Sequence, residues 1–182
     1  MARSFSAKKS KAGKAIKCGR CQTKILPGEQ YFFFSVGFRG SKQYRCKLHH
    51  PRPSELCGSK MSGAYAANEG IEDELNNPNV TISDIASTLE SAAGEIEQVR
   101  DEYQESFDNL PENFQNGDMG SEIQEKIDGL DAYASSLNDK ASEVSSLESD
   151  LTDADLENPD GSDDLLQQAK DLAEEVLGEF SL

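Results

Sequence analysis

The sequence predicts two pieces of different class: a small zinc-stabilised α+β finger, treble-clef or ribbon-like, followed by an all-α antiparallel coiled-coil hairpin and a C-terminal helix. Three observations predict it. All four cysteines and both histidines of the 182 residues fall between Cys18 and Cys57. From Ile82 onward, apolar residues recur at alternating steps of three and four. Charge also divides the chain. Residues 1–60 hold fourteen Lys or Arg against two acids, a net +12, whereas residues 61–182 hold four against thirty-two, a net −28. A hydrophobic content of 36% without tryptophan is low for one large core, so a modular chain fits better. The boundaries read as a basic arm over 1–17, a finger with a trailing helix over 18–76, an acidic helical hairpin over 77–152, and an acidic linker with a last helix over 153–182.

In the arm, Lys8, Lys9, Lys11, Lys14 and Lys17 alternate with Ser, Ala and Gly. Such a segment buries too little apolar surface to offset its ordering entropy and is expected to be disordered alone. The start of the sequence runs straight into these lysines, so no secretory signal is expected. No run approaches the length of a membrane span. An intracellular protein follows, in which clustered cysteines serve as metal ligands rather than disulfides.

The finger begins with Cys18-Gly19-Arg20-Cys21, a knuckle that places two thiolates on one metal. Tyr31 to Val36 is rich in strand formers, Gly37 to Gly40 is a reverse turn, and Lys42 to Arg45 returns as a second strand. The hairpin brings the chain back to Cys46 and His49, whose two-residue spacing makes a second knuckle. Cys18, Cys21, Cys46 and His49 are therefore the expected ligands of one structural Zn2+, with His50 and Cys57 as alternatives for the fourth. Ser54 is the expected N-cap of a helix that would carry Cys57 in its first turn. A piece of about forty residues rarely builds a sufficient core, and structural zinc supplies roughly 10–16 kcal/mol of folding free energy. Nothing points to a catalytic metal: there is no HExxH and no HxE with a downstream PCxxC.

Cys18-x2-Cys21, Ile25, Gly28 and the later Cys46-x2-His49 loosely resemble the poly(ADP-ribose) polymerase-type zinc finger, which recognises DNA breaks. Here the second pair runs Cys then His, the reverse of that family's order. The fuller pattern of a Cys-Cys knuckle, aromatic hairpin, Arg45-Cys46, Pro51 to Leu56, Ser59 to Ser62, Tyr65 and acidic helices is similar to uncharacterised bacteriophage-type zinc-finger/coiled-coil proteins. That similarity spans most of the chain and implies no activity.

Arg39, Lys42, Arg45, Lys47 and Arg52 lie on the return strand and beyond, beside Phe38 and Tyr44. With the arm lysines they are the candidate phosphate contacts, since basic and aromatic groups together pair with phosphates and stack on bases. Tyr31, Phe32, Phe33 and Phe34 are expected to cover the finger's core.

The finger's helix should continue outward through Met61, Tyr65, Asn68, Ile71 and Leu75 and stop at Asn76-Asn77-Pro78. Thr81 then caps a helix whose stripe is Ile82, Ile85, Leu89, Ala92, Ile96, Val99 and Tyr103. A loop over 111–120 leads to a capping box at Ser121 and Gln124 and a second stripe of Ile123, Ile127, Leu130, Ala134, Leu137, Ala141 and Val144. Two such helices read as an antiparallel hairpin whose seam stays half wet until a second copy or a partner covers it. Ser162 caps a final helix with Leu165, Ala169, Leu172, Val176 and Phe180 on one stripe, which either folds back on the hairpin or docks elsewhere.

The expected function is a non-enzymatic zinc-finger protein that binds nucleic acid, DNA ahead of RNA, through its basic end. The hairpin would serve self-association or a protein partner, and no membrane is involved. The alternatives are a protein–protein adaptor in a larger assembly, a phage one included, and an acidic mimic of DNA. An enzyme has little support, because the chain lacks a Ser/His/Asp set, a phosphate loop and carboxylates paired against a histidine.

Overall fold

Strand-forming residues come first in the chain. The computed structural model describes residues 8–35, 41–154 and 161–180, and it sets five short strands in two sheets. The aromatic run forms β4 (Gln30–Phe34), which pairs antiparallel with its return strand β5 (Gln43–Cys46). On the other side of β4 lies β1 (Lys8–Lys11), giving the order β1-β4-β5. A two-stranded sheet joins β2 (Ile16–Lys17) to β3 (Lys24–Ile25).

The arm expected to be disordered through residue 17 is therefore ordered from Lys8. The reason is backbone pairing rather than apolar burial: a free edge of β4 presents unpaired N–H and C=O groups, and β1 takes them. Ala12 continues the contact, donating its N–H to the Glu29 carbonyl at 2.9 Å and accepting from the Gly28 N–H at 2.7 Å. Residues 1–7 lie outside the described residues, as does the expected turn over 37–40.

Strand alternation then sorts the aromatics. Phe32 and Phe34 are buried on one face, where the His50 ring lies 4.5 Å from Phe32 and the Arg45 guanidinium 5.3 Å from Phe34. Tyr31 and Phe33 are half-buried on the other. Ala12, Cys18 and Ile25 form a small core against which Ile16, Tyr31 and Cys46 pack. The short helix α1 (Pro53–Leu56) is capped by Arg52 rather than Ser54, because Pro53, with φ already fixed and no N–H to lose, suits the first helical position. Cys57 consequently follows the helix instead of entering its first turn.

α2 (Ser62–Leu75) follows, ending where expected, before Pro78. The chain divides into two compact units, Met1–Tyr65 and Ala66–Leu182. The division thus falls inside α2, earlier than the predicted residue 76. Residues 61–65 carry no charge, so it separates the +12 of the first unit from the −28 of the second.

The second unit comprises the rest of α2 with α3 (Ile82–Asp108), the short α4 (Glu112–Gln115), α5 (Asp118–Ala154) and α6 (Gly161–Glu179). Thr81 caps α3 as predicted: its hydroxyl oxygen accepts from the Asp84 N–H at 3.2 Å, and Asp84 accepts from the Thr81 N–H at 3.0 Å. The stripe of α3 is wider than a two-helix seam, since Ala86 and Ala93 are buried beside Ile82, Ile85, Leu89, Ala92, Ile96 and Val99. α6 packs on both α3 and α5. The expected half-wet seam is accordingly dry: Leu89, Ile96, Leu130, Leu137 and Val144 are fully buried.

Polar contacts hold the same helices in register. Arg100 on α3 bonds Asp131 on α5 at 2.6 Å. Lys140 on α5 reaches Glu175 on α6 at 3.1 Å, and the Ser136 hydroxyl donates to Glu179 at 2.6 Å. Tyr133, outside the predicted stripe, is also buried; its hydroxyl donates to Asn68 of α2 at 2.8 Å and its ring lies 5.0 Å from Phe180.

The start of α5 differs from expectation too. It begins at Asp118, so Ser121 and Gln124 lie within the helix rather than capping it. The cause is α4, which turns the chain early. The Gln115 side-chain amide donates to the carbonyls of Phe107 and Leu110 at 3.1 and 3.0 Å, closing the end of α3. Gly120 permits this, since a Cβ there would overlap the Gln115 carbonyl.

Candidate metal centre and basic surface

Each candidate ligand pair sits on a turn that its local sequence builds. After Cys18, the knuckle closes through the Gln22 N–H to the Cys18 carbonyl and the Cys18 N–H to the Thr23 carbonyl, both at 3.0 Å. Gln22 takes a φ of 58°, the left-handed region that glycine prefers, and its side-chain amide donates to the Gly19 carbonyl at 3.2 Å. Gly19 is required by a close approach: a Cβ there would overlap the Arg45 guanidinium. Its N–H donates to the Tyr44 carbonyl at 2.8 Å, which ties the first knuckle to β5. Cys46 is the last residue of β5, and the His49 N–H donates back to its carbonyl at 3.0 Å.

These turns bring Cys18, Cys21, Cys46 and His49 together, with one ligand atom from each lying within 4.8 Å of the others. The Cys18 and Cys46 sulfurs stand 3.8 and 3.2 Å from His49 Nδ1, and the Cys21 and Cys46 sulfurs 3.9 Å apart. A tetrahedral ion with metal–sulfur bonds of about 2.3 Å and a metal–nitrogen bond of about 2.05 Å sets S···S near 3.8 Å and S···N near 3.6 Å. All four cysteines are free thiols, and 3.9 Å is far beyond a disulfide bond of about 2.0 Å. The four side chains can hold one metal ion.

The two alternatives for the fourth ligand lie outside this group. The three-residue turn after Cys46 returns His49 to the sulfurs and leaves His50 against Phe32. Cys57 is buried with its sulfur 3.1 Å from the Ser59 hydroxyl.

The thiols differ electrostatically. Burial opposes ionisation of Cys18, yet backbone N–H groups of Cys21, Cys46 and Arg20 outweigh it and bring the thiol down to about 6. Burial, with the neighbouring Cys18 and Cys21 thiols, pushes Cys46 up. Metals bind the thiolate form, so a bound cation would displace thiol protons.

The predicted phosphate contacts separate into three sets. Lys11, Lys14, Lys17, Lys42 and Lys47 are exposed, and Arg52 is half-buried. Lys8 and Lys9 lie in β1, where only their backbone is described, and Arg39 is outside the described residues. Arg45 corrects the prediction. The alternation of β5 turns it inward to 7% exposure, where its guanidinium pairs with Glu55. Burial would raise the Glu55 carboxyl, but the bonds from Arg45 and the Arg52 N–H, with the charges of Arg45 and Arg20, hold it below its ordinary value. Lys24 was missed. It is exposed and stands directly opposite Lys17 in the β2–β3 pair, a juxtaposition visible only once that register is known. A groove beside Cys21 and Cys46 is walled by Lys24, Glu29, Lys47 and Leu48, and Leu48 is 79% exposed.

Among the described residues no helix is long and apolar enough to cross a membrane. Comparison with protein families, with curated proteins and with solved structures finds no match to the chain.

Proposed function

We propose that the chain is a non-enzymatic zinc-finger protein whose first unit binds nucleic acid, DNA ahead of RNA, and whose helical unit serves self-association or a protein partner. Three thiolates and an imidazole are the donor set that zinc favours, whereas magnesium and calcium take oxygen ligands. The observation that carries the nucleic-acid reading is the set of exposed lysines on a unit of net charge +12. Lys17 and Lys24 stand directly opposite each other, an arrangement that repels unless an anion lies between them.

Metal analysis of protein purified under reductant tests the first part: about one equivalent of zinc is expected, and less than half an equivalent overturns it. Fluorescence anisotropy with labelled oligonucleotides across a salt series tests the second. Affinity should fall steeply with salt, and the paired variant Lys17→Gln/Lys24→Gln should shrink the log–log slope by about 2. Absence of binding at 50 mM salt overturns the reading.

A second reading, a protein adaptor, is favoured by one observation. Leu48, between two metal-ligand candidates, exposes most of its side chain above the groove. Partners captured from cells that survive nuclease treatment, and are lost on Leu48→Asp, would support it.

A further inference from the structure

Besides Cys46, the β4–β5 sheet face opposite Phe32 and Phe34 carries aromatic rings that neither the metal group nor the exposed lysines account for in full. We propose that Tyr31, Phe33 and Tyr44 on this face form a stacking platform for unpaired bases, so that the ligand is a single strand rather than a duplex. The proposal rests on the nucleic-acid reading above and narrows its substrate.

Register places the three rings together. Phe33 is directly opposite Tyr44, and Tyr31 is opposite Cys46. The Tyr31 ring centroid lies 5.9 Å from both Phe33 and Tyr44. All three side chains are half-buried, whereas Phe32 and Phe34 on the reverse face are 8% and 4% exposed. A strand with one solvated face normally alternates apolar with polar residues. Phe32 and Phe34 meet the needs of the buried face, so the ring at 33 is not accounted for by that alternation. Tyr31 also touches the small core of Ala12, Cys18 and Ile25, which anchors the platform; Phe33 and Tyr44 do not belong to that core.

The chemistry around the rings is that of a strand-binding surface. The Lys42 ammonium lies over the Phe33 ring, 5.7 Å from its centroid; a stacked base would take its place on the ring and the long, exposed side chain would swing to the phosphate. The unit's net charge of +12 complements a phosphate backbone. Rings on an open sheet can cover a base only when that base is unpaired, since in a duplex the base faces are already stacked on their neighbours. The lysines supply affinity without selecting the strand state, and the rings supply the selection.

The test uses the full chain loaded with zinc. Anisotropy at 150 mM salt compares a labelled 20-nucleotide thymidine strand, a uridine strand of the same length, and a 20-base-pair duplex. Either single strand should bind at least tenfold tighter than the duplex, and the thymidine and uridine arms separate DNA from RNA. Phe33→Leu and Tyr44→Leu should each weaken single-strand binding by about tenfold, with duplex affinity and the salt slope unchanged. An independent readout needs no variant: photocrosslinking of a 5-bromouracil strand to the wild-type chain, mapped by mass spectrometry, should mark Tyr31, Phe33 or Tyr44. Variants that keep their zinc and helix signal yet bind single strands like wild type overturn the platform, as do crosslinks confined to other residues. Both results leave general nucleic-acid binding standing. Failure to bind any of the three oligonucleotides removes the platform and the broader reading together.

Discussion

Removing the metal should unfold the first unit and spare the second. The described core of the first unit is small, with Ala12, Cys18 and Ile25 at one site and Phe32, Phe34, Cys57, Met61 and Ala64 beyond it. Two of its buried side chains are cysteines, one of them a metal-ligand candidate. The second unit has its own apolar interior, led by Leu89, Ile96, Leu130, Leu137, Val144 and Val176. The expected signal can be worked from the helices. Their lengths of 4, 14, 27, 4, 37 and 19 residues total 105, and only eight of these, Pro53–Leu56 with the first four residues of α2, lie at or before Tyr65. Chelation under reductant should therefore lower the circular dichroism at 222 nm by less than about a tenth. Amide hydrogen exchange should meanwhile show residues 8–65 losing protection, because the roughly 10–16 kcal/mol of metal-binding free energy that folds such pieces is gone. Protection in α3, α5 and α6 should stay as it was. Two results would refute the reasoning: a fall of a quarter or more in the helical signal, or amides of β4 and β5 that stay protected without metal.

Three further outcomes follow from particular contacts. Tyr133→Phe strands the buried Asn68 carbonyl oxygen and should destabilise the helical unit by about 1–2 kcal/mol in urea titration; a change below the error of the fit would show that the bond is not made. At Gln22, whose φ is 58°, Gln22→Gly should hold zinc against a competing chelator at least as well as wild type, while Gln22→Val should release it sooner, since β-branched residues tolerate the left-handed region worst. Asp84 is held below its ordinary carboxyl value by its bonds from the Thr81 hydroxyl and N–H. Its stabilising share is thus present above the unfolded pKa and disappears as pH falls through the folded one, so wild type should lose its urea-midpoint advantage over Asp84→Asn between about pH 5 and pH 2; a constant advantage over that range would contradict the assignment.

What could be read from the sequence was local. The Cys18–Cys21 and Cys46–His49 spacings, the Thr81 cap and the stripe from Ile82 to Val99 each depend on residues within a few positions, and each has its counterpart in the structure. What could not be read depended on distant pairing. Spacing alone favours His49 over His50, but the contact that sets His50 aside, its ring against Phe32, lies eighteen positions back. Lys8 to Lys11 resemble a tail in every local respect, and only the free edge of β4, twenty residues on, orders them. Arg45 looked like a surface cation because its half-buried partner, Glu55, is ten positions away. In the helical unit the warning was present but ambiguous. Ala86 and Ala93 lie beside the main stripe and are small enough for either a solvated flank or a second seam, and in the structure both are buried.

The place where the chain divides has a consequence for handling the protein. A pI of about 4.4 describes an average that neither unit possesses. At pH 7 the unit Met1–Tyr65 carries a net +12 and the unit Ala66–Leu182 a net −28. The protein should be retained at low salt by cation and anion exchangers alike, each column gripping a different unit. Its elution from either will report the charge of one unit and say little about the net −16.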